Sequence, residues 1–223
     1  MVDRMEAQLG QPVTVVATGG NAPCIIMEDG DVDTAARLAV TSQVSNSGQT
    51  CIGYNRIYVH ESRYEEFCQK AIEGLKKVTL GAGRDPGEVV MGPLINKRER
   101  DRVLGLIEEA KAKGAKVLFG GDIPAGFEQG AYMSPTLVAD VTEDMRISRE
   151  EIFGPVLSVR PYSDFEDVLQ KANDTQAGLT SYLFGHDARA ISRAYEVLEF
   201  GELYVNGFST GPMLPHTGMR ESG

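Results

Sequence analysis

The run Cys24-Ile25-Ile26-Met27, the segment from Asp31 to Val44 and the run Arg56-Ile57-Tyr58-Val59-His60 decide the fold of this chain. The first and the third are short and rich in apolar, β-branched or aromatic residues, which is typical of buried strands. In the middle segment, Asp31 or Asp33 stands where a carboxylate caps a helix, and alanine, leucine and valine then recur at helical spacing. Strand, helix and strand in this order predict an α/β unit with parallel strands.

The same alternation continues on both sides of this unit. It predicts one domain over residues 1–223, an α/β doubly wound fold with a mostly parallel sheet and helices on both faces. The other predicted strands are Pro12 to Val16, Lys116 to Phe119, Thr136 to Ala139, Val156 to Val159, Ser181 to Phe184 and Glu202 to Val205. The other predicted helices begin at the caps Ser62 and Asn96 or run from Phe165 to Ala172 and from Ala188 to Leu198.

The composition argues against several classes of partner. The 223 residues carry a formal net charge of −10, which disfavours binding to nucleic acid or to an anionic membrane. No apolar stretch reaches the roughly 20 residues that a membrane span needs, and the start Met1-Val2-Asp3-Arg4-Met5-Glu6 does not resemble a signal peptide. Three cysteines in different contexts favour reduced thiols in a cytoplasmic protein, and scarce histidine argues against a structural metal.

Cys51 is the candidate nucleophile among the three cysteines. It follows the loop Asn46-Ser47-Gly48-Gln49-Thr50 at the end of a predicted helix, whereas Cys24 lies in an apolar strand and Cys68 on a helix. Free cysteines are often buried as small apolar residues, which is our interpretation of Cys24 and Cys68. For Cys51 that interpretation competes with a functional thiol, and the neighbouring motifs favour the thiol.

Four segments together resemble the catalytic domain of the aldehyde dehydrogenase superfamily. They are similar to the family's nucleophile segment (Asn46 to Cys51), its nicotinamide-ribose motif (Glu150-Glu151-Ile152-Phe153-Gly154-Pro155-Val156), the segment Met91-Gly92-Pro93-Leu94-Ile95, and the run towards the C-terminal end of that domain (Asn173-Asp174-Thr175, Gly178-Leu179 and Gly201-Glu202-Leu203-Tyr204-Val205-Asn206). The matches cover nearly the whole chain in the right order. Within the family, Pro215 to Gly223 looks most like the lactaldehyde and glycolaldehyde dehydrogenases.

The resemblance implies a reaction in which a thiolate attacks an aldehyde carbonyl and NAD or NADP takes up a hydride. Cys51 would be the nucleophile, with its own backbone N–H as one donor to the oxyanion. Glu151 would hydrogen-bond the nicotinamide ribose, and Phe153 would pack near the nicotinamide ring. His216 is interpreted as a surface residue and not as a base.

The chain departs from the family pattern at Ala17. The family carries Glu-Leu-Gly-Gly-Lys, whose glutamate is the general base, but this chain reads Ala17-Thr18-Gly19-Gly20-Asn21. A methyl group accepts no proton, so base-assisted hydrolysis would be lost, an effect of roughly 10²–10⁴-fold.

Two further departures concern the ends of the chain. Family members are longer, because a cofactor domain precedes the matched part and also supplies the side-chain amide of the oxyanion hole. The sequence has no Gly-x-Gly-x-x-Gly motif, so we expect the NAD-binding domain to be absent from it. Gly223 stops short of the C-terminal strand that family members use in oligomerisation.

Three functional hypotheses follow. The first is a catalytic domain that acts when a partner chain supplies the cofactor half, and a protein partner or homo-oligomer is then expected. The second is a cysteine-dependent enzyme without nicotinamide, catalysing acyl transfer, hydrolysis or addition to a carbonyl. The third is a pseudoenzyme used for binding or assembly, with Cys51 retained. A small carbonyl compound is the expected substrate under the first two hypotheses.

We expect the isolated chain to bind neither NAD nor NADP tightly, because its sequence contains no dinucleotide-binding motif. Adding either nucleotide should therefore leave the thermal midpoint of unfolding unchanged. A midpoint that rises with nucleotide concentration would contradict this expectation.

Overall fold

A computed structural model describes residues 19–85, 87–209 and 217–222, together with Gln8 and Gly10. The described strands are β1 (Pro23–Ile26), β2 (Arg56–His60), β3 (Lys116–Phe119), β4 (Thr136–Ala139), β5 (Val156–Tyr162), β6 (Thr180–Phe184) and β7 (Glu202–Val205). The described α-helices are α1 (Val32–Val44), α2 (Tyr64–Leu75), α3 (Lys97–Ala112), α4 (Arg146–Arg149), α5 (Phe165–Asn173) and α6 (Ala188–Val197). The predicted strand Pro12 to Val16 lies outside the described residues.

The strands form one sheet in the order β3-β4-β5-β2-β1-β6-β7. Neighbouring strands are parallel, except that β3 runs antiparallel to β4. Strand β1 lies inside the sheet, with Cys24 beside Ile57 of β2 on one side and Tyr182 of β6 on the other. The mostly parallel sheet is therefore confirmed.

Side chains alternate between the two faces of the sheet, and helices cover both. On β1, Cys24 and Ile26 pack in the cluster that contains α1 and α2, whereas Ile25 packs with α5 and α6. Val138 and Val156 face the same side as Ile25 and pack against α3. The doubly wound arrangement is thus confirmed, and none of the described helices is long and apolar enough to cross a membrane.

Side-chain caps set the starts of α1 and α3 as predicted. Asp31 accepts a hydrogen bond from the Thr34 N–H at 3.2 Å, and Asn96 accepts one from the Glu99 N–H at 2.9 Å. The prediction that Ser62 caps the next helix was wrong. Ser62 lies in a 3₁₀ turn, where its own N–H donates to His60, because the chain must first turn away from β2 before α2 begins at Tyr64.

A buried arginine fastens β2 to two other elements. Arg56 has no exposed surface, and its guanidinium donates to the carbonyl oxygens of Asn21, Lys171 and Ala172 at 3.0, 3.1 and 2.8 Å. These three acceptors replace the water that the guanidinium loses on burial. Because Asn21 precedes β1 and the other two carbonyls end α5, the arginine fixes the edge of the sheet at which the parallel strands begin, here called the amino edge.

Replacing Arg56 by methionine should lower the free energy of unfolding by about 3 kcal/mol or more, because three carbonyls lose their donor in a dry site. Urea denaturation measures this change. The matched control is Arg63→Met, since Arg63 pairs with Glu66 at 2.9 Å on the surface, and such pairs contribute less than about 1 kcal/mol. Equal losses in the two variants would contradict the assigned role of Arg56.

Candidate active site

Cys51 lies in a β-turn just before β2. The Gly53 N–H donates to the Thr50 carbonyl oxygen at 3.2 Å and closes the turn around Cys51. Cys51 is partly exposed, whereas Cys24 and Cys68 are buried. Of the three cysteines, Cys51 is therefore the one that a molecule in solution can reach.

The chain arrives at this turn through three consecutive residues in the left-handed conformation. Asn46, Ser47 and Gly48 have φ angles of 49°, 58° and 71°. This conformation costs a non-glycine residue roughly 1–2 kcal/mol, and at Asn46 the side-chain amide offsets part of that cost by donating to the Gln49 carbonyl oxygen at 2.9 Å. Gly48 must be glycine, since a Cβ there would lie 2.1 Å from the Gly154 carbonyl oxygen.

Residues 91–95 form hydrogen bonds with the left-handed residues 46–48 and with Gln49, which follows them. The Ser47 hydroxyl donates to the Gly92 carbonyl oxygen at 2.9 Å, and the Ile95 N–H donates to the side-chain oxygen of Gln49 at 2.9 Å. Two segments that sequence analysis singled out separately are thus one hydrogen-bonded unit that precedes the Cys51 turn.

Two consecutive glycines, Gly19 and Gly20, lie between Cys51 and Glu151. A Cβ at Gly20 would lie 1.8 Å from the Cys51 carbonyl oxygen, and a Cβ at Gly19 would lie 2.2 Å from a Glu151 carboxylate oxygen. A side chain at Gly20 would push the Cys51 backbone away, whereas a side chain at Gly19 would displace the Glu151 carboxylate. The pair therefore lies between the Cys51 backbone and the Glu151 carboxylate.

Two buried amides hold the glycine pair in register with the Glu151 segment. Asn55 donates to the side-chain oxygen of Asn21 and accepts from the Ile152 N–H at 3.1 Å. Asn21 in turn donates to the Arg149 carbonyl oxygen at 3.3 Å. The residues that precede β1 and β2 are thus bonded to both sides of Glu151.

The Glu151 carboxylate lines a cleft of about 550 Å³ at the amino edge of the sheet. The other walls are residues 19–21, Arg149, residues 173–177 and Glu221. Its buried Oε1 atom has no hydrogen-bond partner among the described residues. Burial raises the pKa of Glu151 to about 7, against the opposing effects of the Gly20 backbone N–H and the Arg102 guanidinium. The carboxylate therefore keeps an unused acceptor for a hydroxyl group or a water molecule.

Phe153 carries its ring outward, two residues after Glu151. Its φ angle is 49° and the residue is 41% exposed, which is unusual for so large an apolar side chain. An exposed aromatic ring held by strained backbone is suited to packing against a flat ligand.

Comparison with known proteins assigns the family of the chain. The model of the aldehyde dehydrogenase family matches residues 3–223. The chain belongs to the aldehyde dehydrogenase family. Betaine aldehyde dehydrogenase of Brucella anthropi is 37% identical over 99% of this chain and 46% of its own length, and D-glyceraldehyde dehydrogenase (NADP(+)) of Thermoplasma acidophilum is 40% identical over 94% and 43%.

A solved structure of the aldehyde dehydrogenase family is also similar to the chain. Lactaldehyde dehydrogenase from Escherichia coli matches with a TM-score of 0.87 at 36% identity, covering 98% of this chain and 46% of that chain. The chain thus spans a little under half the length of these aldehyde dehydrogenases.

Some of the predicted site residues of this aldehyde dehydrogenase family member lie among the described residues, and others do not. Cys51 and Glu151 meet at the glycine pair, and Phe153 lies on the same segment as Glu151. Ala17 and His216 lie outside the described residues, so the missing base stays a prediction from the sequence. Within the described part of the chain, no group of three His, Cys, Asp or Glu residues is placed to hold a metal ion.

Cys24 and Cys68 are core residues, as predicted. Burial raises the pKa of the Cys24 thiol well above its ordinary value. Burial, assisted by the nearby carboxylates of Glu65 and Asp140, raises the pKa of Cys68 to about 12. Neither thiol is ionised at neutral pH, so neither is a candidate nucleophile.

Sequence reasoning missed Asn21, Asn55 and Ser222. The Ser222 hydroxyl accepts from the Gly178 N–H at 2.6 Å and donates to the Gly19 carbonyl oxygen at 3.1 Å. The sequence did contain a signal for the two asparagines, because each is a polar residue within two positions of the start of a buried strand. Nothing in the sequence around Ser222 indicated its role, since its partners Gly178 and Gly19 are far away in the sequence.

Substituting Gly20 by alanine should destabilise the chain by roughly 2 kcal/mol or more, because the new methyl group would overlap the Cys51 backbone and cannot be moved aside cheaply. Thermal or urea denaturation measures this change. Gly105→Ala is the control: Gly105 lies in α3 with nothing within 4 Å of its Cβ position, so alanine should stabilise the helix by about 0.5–1 kcal/mol. A Gly20→Ala variant as stable as Gly105→Ala would show that the close contact with Cys51 does not exist.

Proposed function

We propose that this chain provides the nucleophilic and ribose-binding side of an NAD(P)-dependent aldehyde oxidation, with Cys51 as the nucleophile. The observation that carries the proposal is the glycine pair, which contacts the Cys51 backbone through Gly20 and the Glu151 carboxylate through Gly19. A reactive thiol and a hydroxyl-binding carboxylate are thereby held on two sides of one backbone segment.

Cys51 acts as its thiolate, which adds to the aldehyde carbonyl carbon and forms a carbon–sulfur bond. The carbonyl oxygen becomes an oxyanion, and the Cys51 backbone N–H donates one hydrogen bond to it. The turn closed by Gly53 fixes the direction of this N–H and of the Cα–Cβ bond together. Nucleophile and donor are therefore oriented before the substrate binds.

Two residues of the segment that follows α4 fit a nicotinamide nucleotide. Glu151 has an unused carboxylate acceptor, which suits a ribose hydroxyl, and Phe153 offers an exposed ring, which suits a flat heterocycle. When bound, the nicotinamide supplies the hydride acceptor. Glu151 accepts hydrogen bonds through both oxygens only when ionised, so its protonation below about pH 7 weakens its hold on the ribose.

The proposed substrate class is a small aldehyde. The three relatives are named for betaine aldehyde, D-glyceraldehyde and lactaldehyde, and their identities to this chain span only 36–40%. Identity therefore favours none of these aldehydes. The resemblance of Pro215 to Gly223 to the lactaldehyde and glycolaldehyde dehydrogenases is the feature that favours a hydroxyaldehyde, and residues 210–216 lie outside the described part of the chain.

We further propose that a cofactor-binding unit, in the same protein or on a partner chain, packs over the cleft. The four matched segments contain no nucleotide-binding motif of their own, yet Glu151 faces a cleft with space for a ligand. A unit that covers this edge would complete the site around the nucleotide. Assembly as a homo-oligomer and a cytoplasmic location stay predictions from the sequence.

Cysteine-dependent acyl transfer without nicotinamide is the second candidate function. It is favoured by the exposed position of Cys51 on its turn, because attack on an ester or thioester needs a reachable thiolate but no hydride acceptor. The third hypothesis, a pseudoenzyme, requires Cys51 to be unreactive. Reactivity of this thiol therefore separates both enzymatic functions from the third.

The experiment is alkylation by iodoacetamide, located by peptide mass spectrometry, in the presence and absence of propanal. We expect Cys51 to react several-fold faster than free cysteine at neutral pH, and propanal to slow it in a saturable way, because both reagents compete for one sulfur. Cys51→Ala removes the label, whereas Cys68→Ala leaves it unchanged, since Cys68 is buried. A Cys51 rate no faster than that of free cysteine, with no protection by propanal, would refute the proposal.

A further inference from the structure

A buried arginine on β5 is bonded to the short helix that leads into Glu151. Arg160 is 3% exposed, and one terminal nitrogen of its guanidinium donates both to the Ser148 hydroxyl and to a Glu143 carboxylate oxygen, the latter at 2.8 Å. We propose that Arg160 is a positioning residue for Glu151 and acts through Ser148 of α4. This inference rests on the ribose-binding role proposed for Glu151 and adds a contact that sets where its carboxylate lies.

Ser148 completes a cluster of three polar side chains. Its hydroxyl accepts from Arg160 and donates to the second Glu143 carboxylate oxygen at 2.9 Å. The carboxylate thus receives one hydrogen bond from each of the other two side chains, and the hydroxyl uses its donor and an acceptor. Buried polar groups need such partners, so the cluster favours the position of α4 in which all three bonds form.

Helix α4 depends on contacts with the rest of the chain. It is four residues long, and a helix of this length is not stable by itself. Ile147 packs in the apolar cluster that contains α3 residues, and the Asn21 amide donates to the Ser148 and Arg149 carbonyl oxygens at 3.4 and 3.3 Å. These contacts hold the apolar side and the end of the helix, whereas the Ser148 hydroxyl fastens it to strand β5.

The segment that carries Glu151 begins at α4 and ends at β5. The Glu150 N–H donates to the Arg146 carbonyl oxygen at 2.8 Å and ends the helix, so Glu151 follows after one residue. Strand β5 then begins at Val156 and contains Arg160. The arginine therefore belongs to the strand that follows Glu151 and is bonded to the helix that precedes it. This bond closes the segment into a loop that is held at both ends.

Arg160 is itself held on the sheet by two neighbours. Its other terminal nitrogen donates to the Ser158 hydroxyl at 3.1 Å, and its guanidinium carbon lies 4.9 Å from the centre of the Tyr58 ring on β2, within the range of a cation–π contact. A cavity of about 300 Å³ borders Arg160 and Glu143. These two side chains therefore have space to rearrange when the Ser148 hydroxyl is removed, and packing alone does not preserve the cluster.

The test compares two buried serines that both bond Arg160. Ser148→Ala removes the bond to α4, whereas the matched control Ser158→Ala removes a bond within β5. The readout is the titration of the Glu151 carboxyl group, followed by NMR on a chain with ¹³C-labelled glutamate carboxyls and assigned with Glu151→Gln. The pKa of a group in the folded state reports its own surroundings, so a loss of overall stability does not change this readout. Arg102, the nearby cation that opposes the effect of burial on the Glu151 pKa, is present in every variant.

Burial raises the pKa of Glu151 to about 7, and we expect Ser158→Ala to leave this value unchanged. In Ser148→Ala the pKa of Glu151 should fall below about 6, because a released segment admits water to the carboxylate and weakens the effect of burial. Arg160→Met should lower the pKa of Glu151 by a similar amount. The double variant Ser148→Ala/Arg160→Met should lower it no further, since both changes break one contact.

The titration separates this inference from the proposed function, because it uses neither nucleotide nor aldehyde. Equal pKa values of Glu151 in the two serine variants, or additive shifts in the double variant, would overturn the positioning role of Arg160 and leave the proposed function intact. An unreactive Cys51 would refute the proposed function and leave the response of Glu151 to Ser148→Ala unchanged.

Discussion

The backbone of Gly20 passes so close to the Cys51 backbone that no side chain fits there, and Gly19 lies beside the Glu151 carboxylate. Everything at the candidate active site depends on this contact. Asn21 and Asn55 bond the chain after the pair to the Glu151 segment, and Ser222 bonds the Gly19 carbonyl. Each of these polar groups is buried and therefore needs a partner. Close packing and hydrogen bonding thus act together, and loss of either would let the Cys51 and Glu151 segments separate.

The site lies at the amino edge of the sheet, which is uncommon. Ligands of open α/β sheets usually bind beyond the carboxyl ends of the strands. Here Cys51 precedes β2, Glu151 precedes β5 and residues 173–177 precede β6, so the cleft forms where the parallel strands begin. The backbone hydrogen bonds between strands do not extend to such loops and therefore do not hold them in place. Buried polar side chains, of which Arg56 is the largest, hold this edge in place by donating hydrogen bonds to carbonyl oxygens outside the sheet.

The sequence predicted those parts of the structure that depend on near neighbours. The apolar run of β1 and the caps Asp31 and Asn96 are local features, and they were confirmed. Ser62 was misassigned because a 3₁₀ turn uses the same residue types as a helix start, and the four-residue helix α4 is too short to show a period. The bond between Asn55 and Ile152 joins residues 97 positions apart, which no spacing rule anticipates. Resemblance located Cys51 and Glu151 but did not predict that the glycine pair contacts both.

The unequal environments of the three sulfur atoms have a practical consequence. Two are enclosed in the core and stay protonated, while the third, Cys51, is partly exposed on a turn. The folded chain is therefore a protein with a single addressable thiol. A spin label or fluorophore coupled to the wild-type sequence would report on the turn before β2 without engineered cysteines, and the two buried sulfurs would react only when the fold opens.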